Sequence, residues 1–302
     1  MTTRDWVVIV AIGILFGMAF PINEVLLREI GPVSISFFRV SLGALAVWAV
    51  ILLRRVPLRL SGHQILSCLI FGSFMFALPL TIFPLSQNYI TGGMAGIVNA
   101  MTPIAVVIVS HVWPGGERAN WFKAIGVILG FGGIVLLTLP SLRADSGSSE
   151  VIAICVALLA PTCYAIALNY LRRLSGLDIA VVVAVSMTGA ALLVTPVMLA
   201  LEGIPRPTEP LSLASLALVG PVLTGWAFLS ALWMTRRVGA TASSTLTFVA
   251  PVSAVLVGVL GLGEEVRAVQ VAGMGVIFLG LLTIDGRIFA FSARPHAKPE
   301  TE

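Results

Sequence analysis

The chain has 302 residues, of which 58% are apolar and 11% charged, and a mean hydropathy of +1.04. Ordinary soluble domains carry roughly 45–50% apolar and about 25% charged residues, so this chain lacks the polar groups to cover a soluble globule of its size. A soluble enzyme, a nucleic-acid binder and a disordered scaffold are excluded on that ground. The net charge of +4 and the pI near 9.3 come from short arginine clusters between apolar runs, with no basic stripe interleaved with aromatics. The composition is that of an all-α polytopic membrane protein.

A helix needs about 20 apolar residues to cross a 30 Å hydrocarbon core. Cutting the sequence at its Arg, Gly, Pro and acidic clusters predicts ten spans: 6–27, 33–53, 63–86, 91–112, 121–139, 151–172, 177–201, 211–235, 239–261 and 267–285. The first is too long, and too poor in a cleavage site, for a signal peptide. Strand-like alternation is absent, which argues against a β-barrel. The tail 287–302 is polar and contains proline, the composition of a disordered segment. With the N-terminus inside, thirteen Lys and Arg fall on the cytoplasmic side, among them Arg54, Arg55, Arg172, Arg173, Arg236 and Arg237. Only Arg28, Arg143, Arg206 and Arg267 fall opposite. That bias predicts an inner cell membrane protein with both termini cytoplasmic. Cys68, Cys155 and Cys163 lie in apolar runs without metal or disulfide spacing, and read as buried small hydrophobes.

Shifting the chain by 148 positions aligns 69–109 with 217–257 without a gap. Gly72 then meets Gly220 and Pro103 meets Pro251; after one deletion Glu117 meets Glu264, Gly126 meets Gly273 and Gly133 meets Gly280. Two five-helix halves follow, 1–143 and 150–286. Because five is odd, the second half enters the membrane from the opposite side, as in many secondary transporters with a midplane site. The run Gly93-Met-Ala-Gly-Ile-Val-Asn-Ala-Met-Thr-Pro103, then Gly116-Glu117, Gly126 and Gly133, resembles the EamA module of the drug/metabolite transporter superfamily. The second copy, from Gly239 through Pro251 and Gly263-Glu264 to Gly273 and Gly280, matches the module more closely. The resemblance implies ten transmembrane helices in two inverted EamA repeats, with helices 1, 3, 4, 6, 8 and 9 around a central cavity. It also implies an exporter of amino acids or other small metabolites, and apolar, aromatic-rich cavity helices are similar to the aromatic amino-acid exporter branch.

Prolines within spans kink helices and free a carbonyl, which lipid tolerates only against protein or a wet cavity. Pro103 and Pro251, matched between the repeats, and Pro21 are the gating candidates; static kinks are the alternative. The turns before the paired prolines carry Asn99 and Thr102, and Ser243, Ser244 and Thr247. Such groups suit the amine and carboxylate of a small substrate, or else glue neighbouring helices. Met18, Pro79, Asn99, Tyr164, Trp226, Ser230, Ser244 and Thr247 form the expected substrate wall, with Trp226, Ser230 and Trp233 on one helical face. Glu24 and Arg39 each lie about 10 Å below the Gly31-Pro32 turn. They read as an intramembrane ion pair, with Glu24 as a proton-coupling carboxylate the alternative. Gly13-Ile-Leu-Phe-Gly17 and Gly126-Val-Ile-Leu-Gly130 predict close helix packing inside the bundle.

No catalytic, Walker or metal-binding motif occurs, so neither an enzyme nor an ATP-driven pump is expected, and no cofactor or metal. The expected partners are a small-molecule substrate and the lipid bilayer, with no nucleic acid; a monomer is expected, a dimer being the alternative. Export of amino-acid-like metabolites by alternating access is the leading expectation. A multidrug or organic-cation exporter is the rival, and a cation site would favour aromatic faces and a buried carboxylate.

Overall fold

A computed structural model describes residues 3–143, 148–238 and 246–284. All regular structure among them is helical. Eight helices are long and apolar enough to cross a bilayer: α1 Thr3–Leu26, α2 Pro32–Arg54, α3 Gly62–Ser86, α4 Gly92–Val112, α5 Trp121–Arg143, α6 Ser148–Leu174, α7 Ile179–Leu201 and α8 Pro210–Arg237. Two shorter apolar helices follow, α9 Leu246–Leu262 and α10 Ala268–Ile284, of 17 residues each. At 1.5 Å per residue these reach about 26 Å, the short end of the spanning range.

Local chemistry sets the helix ends. Proline occupies the first turn of α2 and α8, where its missing N–H costs nothing. Ser61 and Gln64 close a reciprocal capping box on α3, Thr91 accepts from Met94 N at α4, and the Asp178 carboxylate accepts from Ala180 N at 2.8 Å at α7.

Interior prolines divide several spans. In α4 the helix breaks between Asn99 and Thr102, because Pro103 has no N–H for the Asn99 carbonyl. The Thr102 hydroxyl donates to that carbonyl instead, at 2.7 Å. The turn polarity read from the sequence thus has a structural use at Thr102. In α6 a break at Leu158 precedes Pro161. Helices α3 and α8 each contain a wide π turn, Ser73–Ala77 and Pro221–Trp226. The two turns begin 148 residues apart, in the register of the repeat.

Packing repeats as well. Helix α1 lies on α9 as α6 lies on α4, and α2 lies on α8 as α7 lies on α3. The pairs α2–α7, α4–α9 and α5–α10 join the halves directly. These pairings recur when the two halves are exchanged, whereas among the described residues α1 lies more extensively on α4 than its counterpart α6 does on α9. Helices 1, 3, 4, 6, 8 and 9 are linked around the middle, with the α2–α7 and α5–α10 pairs beside them.

Between helices in lipid there is little hydrophobic driving force, so close approach of small residues carries association. At the α5–α10 crossing, a Cβ on Gly126 would lie 2.6 Å from the Gly280 carbonyl, and one on Gly273 3.0 Å from the Gly133 carbonyl. In repeat register this is one contact seen twice. A Cβ on Gly17 would stand 2.2 Å from the Ala250 carbonyl, where α1 crosses α9. The small-residue patterns therefore serve packing within the bundle. Cys68 and Cys163 are buried as expected, but Cys155 is exposed on the outer side of α6. In a bilayer, lipid receives such an apolar side chain as readily as protein does.

Overpacking a close crossing costs roughly 1–3 kcal/mol. Gly17→Ala should therefore lower the thermal midpoint of the purified protein by several degrees. Gly132→Ala, where an added Cβ meets nothing within 4 Å, should leave it unchanged, as light-scattering or tryptophan-fluorescence melting would register.

Candidate functional site

A buried arginine organises the middle of the bundle. Arg39, eight residues into α2, is 4% exposed. Its Nε donates to Thr224 Oγ1 on α8 at 3.1 Å, and its Nη1 donates to Asn23 Oδ1 on α1 at 3.1 Å. Asn23 in turn donates to Gln87 Oε1 at 3.0 Å, and Gln87 donates to the Phe20 carbonyl at 2.8 Å. Thr224 sits in the wide turn of α8, where its hydroxyl also donates to the Val219 carbonyl. Tyr164 on α6 lies within electrostatic reach of the guanidinium. Its ring stands 6.3 Å from Phe228 on α8, which packs at 5.2 Å on Phe76 of α3 and 4.8 Å on Phe16 of α1. Charge, amides, hydroxyls and aromatic rings from both repeats meet here.

Glu24 and Arg39 were expected to pair, and the structure does not pair them. Direction separates them. Successive residues on a helix point about 100° apart, so α1 turns Asn23 toward Arg39 and Glu24 toward α4. Among the described residues Arg39 has no carboxylate partner.

The face where α1, α3, α7 and α9 end is closed by carboxylates. Glu24 accepts from Gly92 N at 3.0 Å, and Glu264, beyond α9, accepts from Gly93 N at 3.1 Å. Two glutamates, one from each repeat, thus share the N-terminus of α4. Glu202, beyond α7, accepts from Val33 N at 2.9 Å and from Ser34 N at 2.8 Å at the start of α2, and from the Ser34 hydroxyl. Glu29 accepts from Thr208 N and Glu209 N at the entrance to α8. Helix N-termini attract negative charge and present unpaired N–H groups. Burial and the neighbouring Glu24 charge push the Glu264 carboxyl above its usual range.

The opposite face is closed differently. Arg237 pairs with Asp5 at 3.1 Å and lies over the Trp233 ring, joining α8 to α1. Arg172 donates to the Gly115 carbonyl, and Arg236 to the carbonyls of Leu174 and Leu177. Glu117, the repeat counterpart of Glu264, binds Lys123 at the surface.

Other expected site residues are scattered. Met18 is half-buried against the α1–α2–α8 core, and Pro79 is buried just after the wide turn of α3. Asn99 is half-buried at the break in α4, and Thr247 is half-buried at the start of α9. Trp226 is 51% exposed. It lies two residues, about 200°, from both Thr224 and Phe228, so the face that points inward carries these two and the outer face carries Trp226. Ser230, two residues beyond Phe228, is half-buried on that outer side. Of the residues on α8, Thr224 and Phe228 thus face the interior, and Trp226 and Ser230 lie on the outer side. Pro21 and Pro251 lie inside unbroken α1 and α9, and Pro103 at a break. Ser243 and Ser244 lie outside the described residues, as does the tail 287–302. Sequence reasoning missed Asn23, Gln87 and Thr224. Arg39 was the one signal pointing to them, since a buried guanidinium requires acceptors.

The EamA-like transporter family matches residues 6–139 and again 151–284, once per repeat. An uncharacterized transporter of Archaeoglobus fulgidus is 23% identical over 93% of this chain and 98% of its own length. The uncharacterized transporter YoaV of Bacillus subtilis is 23% identical over 95% of this chain and 97% of its own. A solved crystal structure superposes over 98% of this chain and 100% of its own with a TM-score of 0.68 at 18% identity, a likeness of fold alone. The two matched repeats, the inverted packing and the apolar helices lead to one assignment: this chain is a membrane transporter of the EamA-like family.

Proposed function

We propose that the protein exports small metabolites, amino acids foremost, by alternating access between the two repeats. It would sit in the inner cell membrane with both termini and the arginine-rich face toward the cytoplasm. The observation that carries this reading is an asymmetry laid on a symmetric frame. The main helix pairings recur under exchange of the repeats, whereas the α1–α4 contact and the polar contacts closing the two faces do not. A frame with equivalent packings can rock between them, and unlike closures let each face respond to its own side. The paired positions Pro103 and Pro251, with Pro21, are where bending would concentrate. A buried arginine in the centre favours substrates bearing negative charge over organic cations, which would call for a buried carboxylate.

Counterflow into proteoliposomes preloaded with tryptophan, threonine or a quaternary ammonium dye separates the readings. Exchange of the amino acids without the dye is the expected result. Movement of the dye alone would make the protein a multidrug exporter. Pro251→Ala should slow exchange while expression holds; an unchanged rate would remove that proline from gating.

The acidic face should also respond to pH. Glu264 meets Glu24 from α1 and the neutral start of α4, including the Thr91 side chain; Glu265 and Arg267, beside it in sequence, are exposed, as are Arg28 and Tyr89 just beyond α1 and α3. With its carboxyl raised above the usual range in the closed face, Glu264 holds a proton more tightly closed than open. Closure is therefore fully favoured below the ordinary carboxylate range and weakens as pH rises through the raised one. Spin labels on Tyr89→Cys and Glu265→Cys, in a chain freed of its three native cysteines, should move apart between pH 4 and 8. Glu264→Gln should abolish the change, and a separation independent of pH in the parent would rule out a proton-sensitive closure.

A further inference from the structure

We propose that Arg39 is the substrate anchor, and that it takes the carboxylate of a small amino acid or organic acid. This deepens the export reading above and rests on it for the identity of the transported class.

The geometry of the guanidinium carries the inference. Arginine has five N–H donors in a planar fork, and only two of its three nitrogens find acceptors among the described residues. Nε is held by Thr224 and Nη1 by Asn23, both neutral. Nη2 has none, and one Nη1 proton is also left over. These remaining protons are the set that a carboxylate engages in a two-point contact. A charged side chain held deep in a bilayer helix costs several kcal/mol. That cost is ordinarily offset by an acidic partner, and here every fixed partner is a dipole. The dipoles position the fork without neutralising it.

The surroundings fit an anion with an organic body. One turn earlier on the same face of α2, Ser36 is fully buried with its hydroxyl unpartnered. The Tyr164 phenol on α6 lies within electrostatic reach of the guanidinium. Beyond it lies the packed aromatic cluster of Phe228, Phe76 and Phe16, of which Phe16 is the partly exposed member. A carboxylate on Arg39 with an apolar side chain toward these rings uses both features. An inorganic anion would use only the first. The anchor also joins the two repeats, since Asn23 and Arg39 belong to the first and Thr224 and Tyr164 to the second. A substrate neutralising Arg39 would bear on the boundary along which the halves move.

The test uses the full chain in proteoliposomes. Counterflow of tryptophan is measured alone and in competition with tryptophan amide, tryptamine, benzoate and chloride, for the parent, Arg39→Lys and Arg39→Gln. Thermal midpoints establish that each variant is folded. For the parent, tryptophan and benzoate should compete at least tenfold better than tryptophan amide or tryptamine, and chloride should not compete. Arg39→Gln, which keeps hydrogen bonds available to Asn23 and Thr224, should lose more than tenfold in exchange and lose the preference for carboxylates. Arg39→Lys should retain the preference at reduced rate, because an ammonium lacks the fork. A folded Arg39→Gln protein with the parent's rate and preference would overturn the proposal. Where no amino acid moves, midpoints are compared with benzoate present. A rise in the parent that Arg39→Gln lacks would uphold the anchor while amino-acid export fails, and no rise in the parent would overturn both.

Discussion

Helix ends govern this architecture more than helix faces do. Each N-terminus presents N–H groups without partners, and near lipid these must be met by protein. At α2, α4 and the entrance to α8, the protein meets them with carboxylates from the opposite repeat, joined at α4 by Glu24 of the same repeat. Glu202 on α2 and Glu264 on α4 are contributed by the second half, and Glu29 reaches the other way. The carboxylates close one face and tie the halves together. The arginines that meet carbonyls and Asp5 on the other face are their electrostatic counterpart, since helix C-termini favour positive charge.

Within that clamp the interior holds one conspicuous ion, Arg39. The network from Gln87 through Asn23 to Arg39 and Thr224 is a chain of amides and a hydroxyl ending in a charge, and it spans four helices. The wide turn of α8 places Thr224 at its end, and the same irregularity recurs in α3. Irregular backbone of this kind is tolerated at membrane depth where protein or water satisfies it. Both turns lie beside the aromatic cluster, so the departures from ideal helix gather where polar and aromatic groups converge.

Much of the frame was legible in the sequence. Span length and apolar composition gave ten helices, and the matched prolines and glycines gave the repeat, because both signals are one-dimensional. What failed needed a second coordinate. Glu24 was expected to meet Arg39, yet Asn23, a single residue earlier, has the direction that reaches the guanidinium. Trp226 and Ser230 share the outer side of α8, and an apolar face toward lipid and one toward the core look alike in composition. Asn23, Gln87 and Thr224 are isolated uncharged residues with no spacing that marks them. Glu264 stood out through its repeat partner Glu117, although the two ended in different settings, one beneath a helix N-terminus and one on a surface lysine.

The order in which the chain is made gives the carboxylate clamps a further meaning. Val33, Ser34 and Gly93 emerge during synthesis long before Glu202 and Glu264, which follow by 168 to 171 positions. Until the second half enters the bilayer, the head of α2 lacks Glu202, and the head of α4 has Glu24 and Thr91 from its own half but not Glu264. Asp5 waits longer still, its arginine partner being 232 residues away. A nascent first half is therefore a set of inserted but unfinished helices. Its assembly is completed from the far end of the chain, and truncation within the second half would leave an exposed, chaperone- or protease-sensitive intermediate instead of a smaller working unit.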